Sequence, residues 1–290
     1  MSKKRPPAKE VRTFVVDAFT QRPWRGNPAA VCLMEGPAPD TLLQSIAAEF
    51  NLAETAFVWA VGSEGALPGT RRLRWFTPAV EVDLCGHATL ATAHVLLHEQ
   101  GSIEQEVRFH TRSGTLSARR AQGDIVLDFP AEVPMPIPPP PSVIAALGVK
   151  EVQEAAHAPL RRKLLLCLRN EEQVRTLRPD LAALRSLRLD PPTLGVIVTA
   201  PGSGGVDFVS RYFAPWVGID EDPVTGSAHT VLGPYWAAKL GRQRLFAHQC
   251  SARGGEMQVM VRPDGRVDLL GSAVVVSSGV LRLPDGAGRS

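Results

Sequence analysis

The sequence predicts an α+β protein of two pseudo-symmetric halves, each a curled mixed sheet around a central helix. Three observations predict it. A gapped motif occurs twice in the same order, each copy is followed by a glycine turn and a helix, and both helices are apolar or small nearly all round. A helix that is apolar on every side has to be buried on every side, which calls for a sheet wrapped about it.

In chain order, residues 1–10 carry basic side chains with no apolar core after them. They read as a tail rather than a secretory signal. Pro39-Asp40 opens a helix with Leu42, Leu43, Ile46 and Phe50 at helical spacing, and a strand follows at residues 55–59. The motif Arg74-Trp-Phe-Thr-Pro-Ala-Val-Glu-Val-Asp83 comes next, then a turn at Cys85-Gly86 and a helix that closes at Gly101. The second half repeats the plan. Pro179-Asp180 opens a helix with Leu181, Leu184 and Leu187, and a strand follows at residues 195–199. Then come Arg211-Tyr-Phe-Ala-Pro-Trp-Val-Gly-Ile-Asp220, a turn at Thr225-Gly226 and a helix that closes at Gly241. Asp40 and Asp180 each stand where a side chain caps a helix by accepting from its free N–H groups. Residues 164–168 and 273–276 read as buried strands, and Pro234 should kink the second helix or displace one backbone bond. The proline run at residues 134–141 is extended and semi-rigid and begins the second half.

Composition narrows the function. At 290 residues the chain holds one large domain or two ordinary ones. No run approaches the roughly 18 apolar residues of a membrane span. The net charge of +3 is modest and no basic run is interleaved with aromatics, which argues against nucleic acid and suits a small anionic ligand. Cys32, Cys85, Cys167 and Cys250 are widely spaced, which argues against a zinc site and a disulfide scaffold and fits a reducing cytoplasm.

The two glycine turns are the candidate site. A helix start presents unpaired N–H groups and about half a positive charge, and glycine lets a ligand approach the backbone closely. If the halves are related by a pseudo-twofold axis, the starts at Gly86 and Gly226 can share a cleft suited to a carboxylate and to an enolate-like intermediate. Both glycines could equally serve only as turns. Glu54 enters an apolar strand, where a carboxylate can act as general acid/base, or it is an exposed strand end. The matching place in the second half, near Leu194, has no acid. His87 can donate to a substrate or relay a proton, or it caps its own helix. His94 and His98, four apart, fit packing or solvent exposure better than a metal, because no third ligand is evident. Asp222 can project from its turn because Pro223 disfavours helical geometry there, and Ser227 can donate to a carboxylate or cap the helix. Cys85 lies where a helix start favours a thiolate, or it is a small buried residue.

Gly26-Asn-Pro-Ala-Ala-Val31, Glu54-Thr-Ala-Phe57, Arg74-Trp-Phe-Thr-Pro78, Cys85-Gly-His-Ala-Thr-Leu90, Arg112-Ser-Gly-Thr-Leu116 and Asp222-Pro-Val-Thr-Gly-Ser-Ala228 together resemble the PhzF-like phenazine-biosynthesis family, in order from about residue 11 onward. The resemblance implies the diaminopimelate epimerase-like fold, with halves at residues 11–130 and 131–278 and a last strand near 279–284 that returns to the first half. It implies an isomerase that works without cofactor or metal, as a homodimer, on a small carboxylic acid held between the halves. By that resemblance Glu54 is the acid/base. His87 and Asp222 assist it, and Gly86, Ala88, Thr225, Gly226 and Ser227 bind substrate. Cys85 departs from the founding enzyme and resembles the first thiol of the related epimerases, so an amino-acid epimerase or racemase using Cys85 or Glu54 is the alternative, and a non-catalytic binding homologue a further one.

Overall fold

A computed structural model describes residues 10–61, 69–100, 104–121 and 123–283. The expected tail up to residue 9 and the closing Gly101 lie outside the described residues. The strands are β1 (Glu10–Ala18), β2 (Asn27–Leu33), β3 (Glu54–Ala60), β4 (Thr70–Phe76), β5 (Glu81–Val82), β6 (Glu106–Thr111), β7 (Gly114–Ala121), β8 (Asp124–Pro130), β9 (Met135–Pro136), β10 (Glu154–Ala158), β11 (Lys163–Cys167), β12 (Gly195–Pro201), β13 (Phe208–Phe213), β14 (Arg244–Gln249), β15 (Gly255–Val261), β16 (Arg266–Gly271) and β17 (Ala273–Arg282). The helices are α1 (Asp40–Phe50), α2 (Gly86–His94), α3 (Pro141–Leu147), α4 (Glu171–Thr176), α5 (Leu181–Ser186) and α6 (Gly226–Leu240), and α2 runs on into a π-helical turn, Val95–Glu99.

Contacts divide the chain into two units. One comprises Met1–Trp24, Pro28–Ile125 and Ala273–Ser290, the other Arg25–Asn27 and Val126–Ser272. The division near residue 130 expected from sequence falls at 125/126, since β8 pairs with β16 of the second unit. The proline run lies inside that unit, where it forms β9 against β10 and gives α3 its Pro141 at the first turn. The returning strand starts at Ala273 rather than near Gly279, because β17 pairs along its length with β1, from Ala18↔Ala273 to Glu10↔Arg282. Residues 273–276 are half-buried, not core.

Each unit repeats one strand plan. In the first, β2 lies parallel to β3, β3 antiparallel to β4, β4 parallel to β6 and β6 antiparallel to β7. In the second, the same succession joins β11, β12, β13, β14 and β15. The register coincides as well. Thr55 faces Phe76 and Val196 faces Phe213, so the echoed phenylalanines hold equivalent places. Glu54 is therefore matched by Gly195, not Leu194, and Ala29 by Lys163, from the pairs Ala29↔Glu54 and Lys163↔Gly195.

The echoed arginines explain why the motif is repeated. Arg74 donates from Nε and Nη2 to the two oxygens of Glu81, at 2.7 Å each, and lies 5.1 Å from the Phe76 ring centre. Arg211 grips Glu221 in the same fork, at 2.7 and 2.8 Å, and lies 4.9 Å from the Phe213 ring centre. A bidentate arginine seated on its own strand's aromatic fixes the chain just before each glycine turn.

One sheet face in each unit carries outer helices. In the first unit α1 buries Leu43, Ile46 and Ala47 against Val11, Cys32, Phe57 and Phe76. In the second, α3, α4 and α5 cover Leu164, Leu166, Val196, Val198 and Val209. The sheets wrap the central helices: α2 packs on β1, β3, β7 and β17, and α6 on β14, β15 and β16. Asp180 caps α5 by accepting from Ala183 N at 2.9 Å. Asp40 does not cap α1. It is the first helical residue and accepts from Arg74 Nη1 at 2.8 Å instead. Pro234 does not end α6. Its missing N–H leaves the Thr230 carbonyl, which accepts from Glu132 N at 3.1 Å. Among the described residues no helix is long and apolar enough to cross a membrane.

Candidate active site

The first helix start gathers three groups. Glu54 begins β3 and is 8% exposed, although its strand position alone would allow exposure. Cys85, in extended conformation, precedes α2, and His87 is the second residue of the helix. The imidazole lies between the other two: Nδ1 is 3.5 Å from Cys85 Sγ and Nε2 is 3.1 Å from Glu54 Oε2. Burial alone would lower the His87 pKa, but its electrostatic and hydrogen-bonding interactions with Cys85 and Glu54 outweigh it and hold it well above the usual value. Burial, and then the charge of Glu54, push the Cys85 thiol up, against the pull of His87 and the Ala88 N–H. Cys85, the residue before the helix, does not cap it with its side chain. The carbonyl of Cys85 accepts from Thr89 N at 3.1 Å and Thr89 Oγ1 at 2.5 Å.

The ligand atoms of Glu54, Cys85 and His87 lie within 4.8 Å of one another, so the set could hold a metal ion, which the wide cysteine spacing did not foretell. An ion can use only one nitrogen of the ring, and here each nitrogen faces a different partner. The arrangement suits proton transfer along a Cys–His–Glu line better than shared coordination.

The second helix start is braced. Thr225, in extended conformation, precedes α6 but spends its hydroxyl on Asp222 Oδ2 at 2.6 Å. Asp222 Oδ1 accepts from Asn27 Nδ2 at 2.7 Å. Gln249 closes the ring: Oε1 accepts from Thr225 N at 2.9 Å, and Nε2 donates to the Asp222 carbonyl at 2.7 Å. Asp222 thus faces into its own turn rather than projecting from it. Ser227 is no cap, since it is the second helical residue. Like Gly226 it presents a first-turn N–H that no side chain of the preceding residue takes. His229 donates from Nδ1 to the Thr225 carbonyl at 2.8 Å, matching Thr89 in the first unit, and burial pushes its pKa down to about 4.

Glu54, Cys85, Gly86, His87 and Ala88 thus come together in the first unit, and Asp222, Thr225, Gly226 and Ser227 in the second. His94 and His98 stand apart, stacked at 5.0 Å on the π-helical end. The sequence did not single out Asn27 by itself, nor Gln249, Lys163 and Tyr212. Their roles depend on strand register, and only the Gly-Asn-Pro motif pointed toward Asn27.

Two units, each a mixed sheet wrapped on a helix whose start is lined with polar and titratable groups, make up an α+β fold of the PhzF kind. The chain belongs to the phenazine biosynthesis-like (PhzF) family, whose sequence profile, described as "Phenazine biosynthesis-like protein", matches residues 16–279. A protein of Pseudomonas aeruginosa named as an uncharacterized isomerase is 49% identical over 274 residues, covering 94% of this chain and 100% of that one. The crystal structure of a PhzF family protein from Enterococcus faecalis matches with a TM-score of 0.88 at 42% identity, covering 95% of this chain and 100% of that one. A hydroxyproline epimerase from Agrobacterium vitis shares the fold, with a TM-score of 0.59 at 12% identity over 97% of this chain and 94% of that one. Family and relatives support an isomerase.

Proposed function

We propose that this protein is a cofactor-independent isomerase that moves a proton within a small carboxylic acid, with Glu54 as the general acid/base. The observation that carries the reading is the buried carboxylate of Glu54, 3.1 Å from His87 Nε2 at the start of α2. The Glu54 carboxylate takes a proton from a carbon activated by the substrate's own acid group. The electron pair left behind is delocalised into an enolate-like anion. First-turn N–H groups at Gly86 and the His87 imidazole stabilise that anion. Glu54 then returns the proton to a different carbon, the double bond shifts, and no atom is gained or lost. Asp222 acts in the second unit by holding Thr225 and the start of α6, where Gly226 and Ser227 present their N–H groups. The family resemblance adds a homodimer to the proposal, which sedimentation would check.

The test is exchange of carbon-bound hydrogen in heavy water across a set of small carboxylic acids. The wild type should catalyse it, and Glu54→Gln, which keeps the shape and removes the proton carrier, should lose about 100- to 10,000-fold in rate. Undiminished exchange in that variant removes Glu54 from the mechanism.

A second reading, an epimerase, is favoured by one observation, the Cys85 sulfur 3.5 Å from His87 Nδ1. The product separates the two. An epimerase inverts and labels one carbon, whereas the isomerase labels a new position and moves the double bond.

A further inference from the structure

The second unit answers Glu54 with a cation. Gly195 holds the place equivalent to Glu54, and its missing side chain is filled by a neighbour: a Cβ there would lie 2.1 Å from the Tyr212 hydroxyl oxygen. Tyr212 in turn accepts from Lys163 Nζ at 2.7 Å, and Nζ lies 4.2 Å from the tyrosine ring centre. Lys163 is 7% exposed and Tyr212 6%. Three adjacent strands thus build one buried ammonium–phenol pair. Among the described residues the hydroxyl of Tyr212 is the single hydrogen-bond acceptor of Nζ, and no carboxylate lies within ion-pairing distance of it. Asp222 and Glu132 favour its charge from further off and Arg161 opposes it.

A buried cation with unused donors and no carboxylate at ion-pairing distance is costly, and a ligand's negative charge would offset that cost. We propose that Lys163 and Tyr212 form an anion subsite in the second unit that receives a carboxylate group. This deepens the functional reading, since it names the groups that meet the acid's charge. The ammonium and phenol offer donors to the two carboxylate oxygens, and no covalent step is involved. Burial pushes the Lys163 pKa down to about 8, so the amine is still mostly charged at pH 7. The same direction means that the charge destabilises the empty fold below the usual lysine range.

The experiment is thermal unfolding with sodium benzoate as probe and sodium chloride of equal ionic strength as control. At one hundred times its dissociation constant, benzoate should raise the midpoint of the wild type by about 4 °C, and chloride should not. Lys163→Met removes the charge and keeps the stem. It should melt at or above the wild type without benzoate and lose the benzoate shift. Tyr212→Phe, which keeps the ring, should weaken the shift. Glu54→Gln should keep it. The proposal is overturned if Lys163→Met melts lower yet still responds to benzoate, if chloride matches benzoate, or if the wild type does not respond. Loss of hydrogen exchange in Glu54→Gln together with any of these results sinks the subsite and leaves the isomerase reading standing. Retained exchange with an intact benzoate response does the reverse.

Discussion

At the scale of single residues, the buried histidines take opposite electrostatic roles. His87 sits between two acidic groups and is pushed up, so it stabilises the fold at low pH and loses that contribution as pH rises through its folded value. His229 has no acidic neighbour among the causes of its shift. Burial holds it at about 4 against an ordinary 6.5. The unfolded chain therefore takes up a proton below pH 6.5 that the folded chain refuses until about 4. Stability should fall across that window by as much as about 3 kcal/mol on this account. Replacing His229 by Phe should cost about 1 kcal/mol at neutral pH, since the Thr225 carbonyl keeps its backbone partners. The gap between the two proteins, read by urea unfolding at several pH values, should close or reverse by pH 4. A parallel fall in both proteins would place the acid lability elsewhere. Residues of this kind are only partly legible in sequence. Glu54 and His87 stand out because they flank a strand entrance and a glycine turn. His229 sits one turn into an apolar helix with nothing beside it to mark its hydrogen bond.

At the scale of elements, the chemistry rests on helix starts that are held from outside. Both preceding residues are extended, and neither caps its helix with its own side chain. What holds the chain just before each turn is an arginine–glutamate fork. The sequence showed the arginines as part of a repeated pattern, but Glu81 and Glu221 stand at different spacings from them and do not recur in it, because that pairing depends on how the chain folds back. Pro234 shows the same displacement of a bond. A proline inside a helix ordinarily costs about 3 kcal/mol. Here the freed Thr230 carbonyl is taken by Glu132 N. Replacing Pro234 by Ala restores a helical donor and sets it in competition with Glu132, so the gain should stay below about 1 kcal/mol rather than approach the full proline penalty. A denaturant melt measures it, and a gain near the full value would mean that the Glu132 bond contributes little.

At the scale of the whole molecule, the duplication was legible because motifs recur at matched intervals. The structure turns that likeness into shared register, with Thr55 and Val196 facing equivalent phenylalanines. The unit boundaries were less legible. The proline run falls in the second unit as its composition suggests, but that unit already begins at Val126, and residues 25–27 join it although their neighbours on both sides belong to the first. Removing residues 273–290 should strip β1 of its long antiparallel partner and expose its hydrogen-bonding edge. Circular dichroism and limited proteolysis should then show the first unit unfolded or aggregated, and an intact first unit would show that β17 is dispensable. The pairing of β1 with β17 also orders events during synthesis. β1 leaves the ribosome before the second unit and β17 after it, so the nascent first unit must wait, incomplete, while the second is translated. Its open edge is the surface a chaperone would have to guard until β17 arrives.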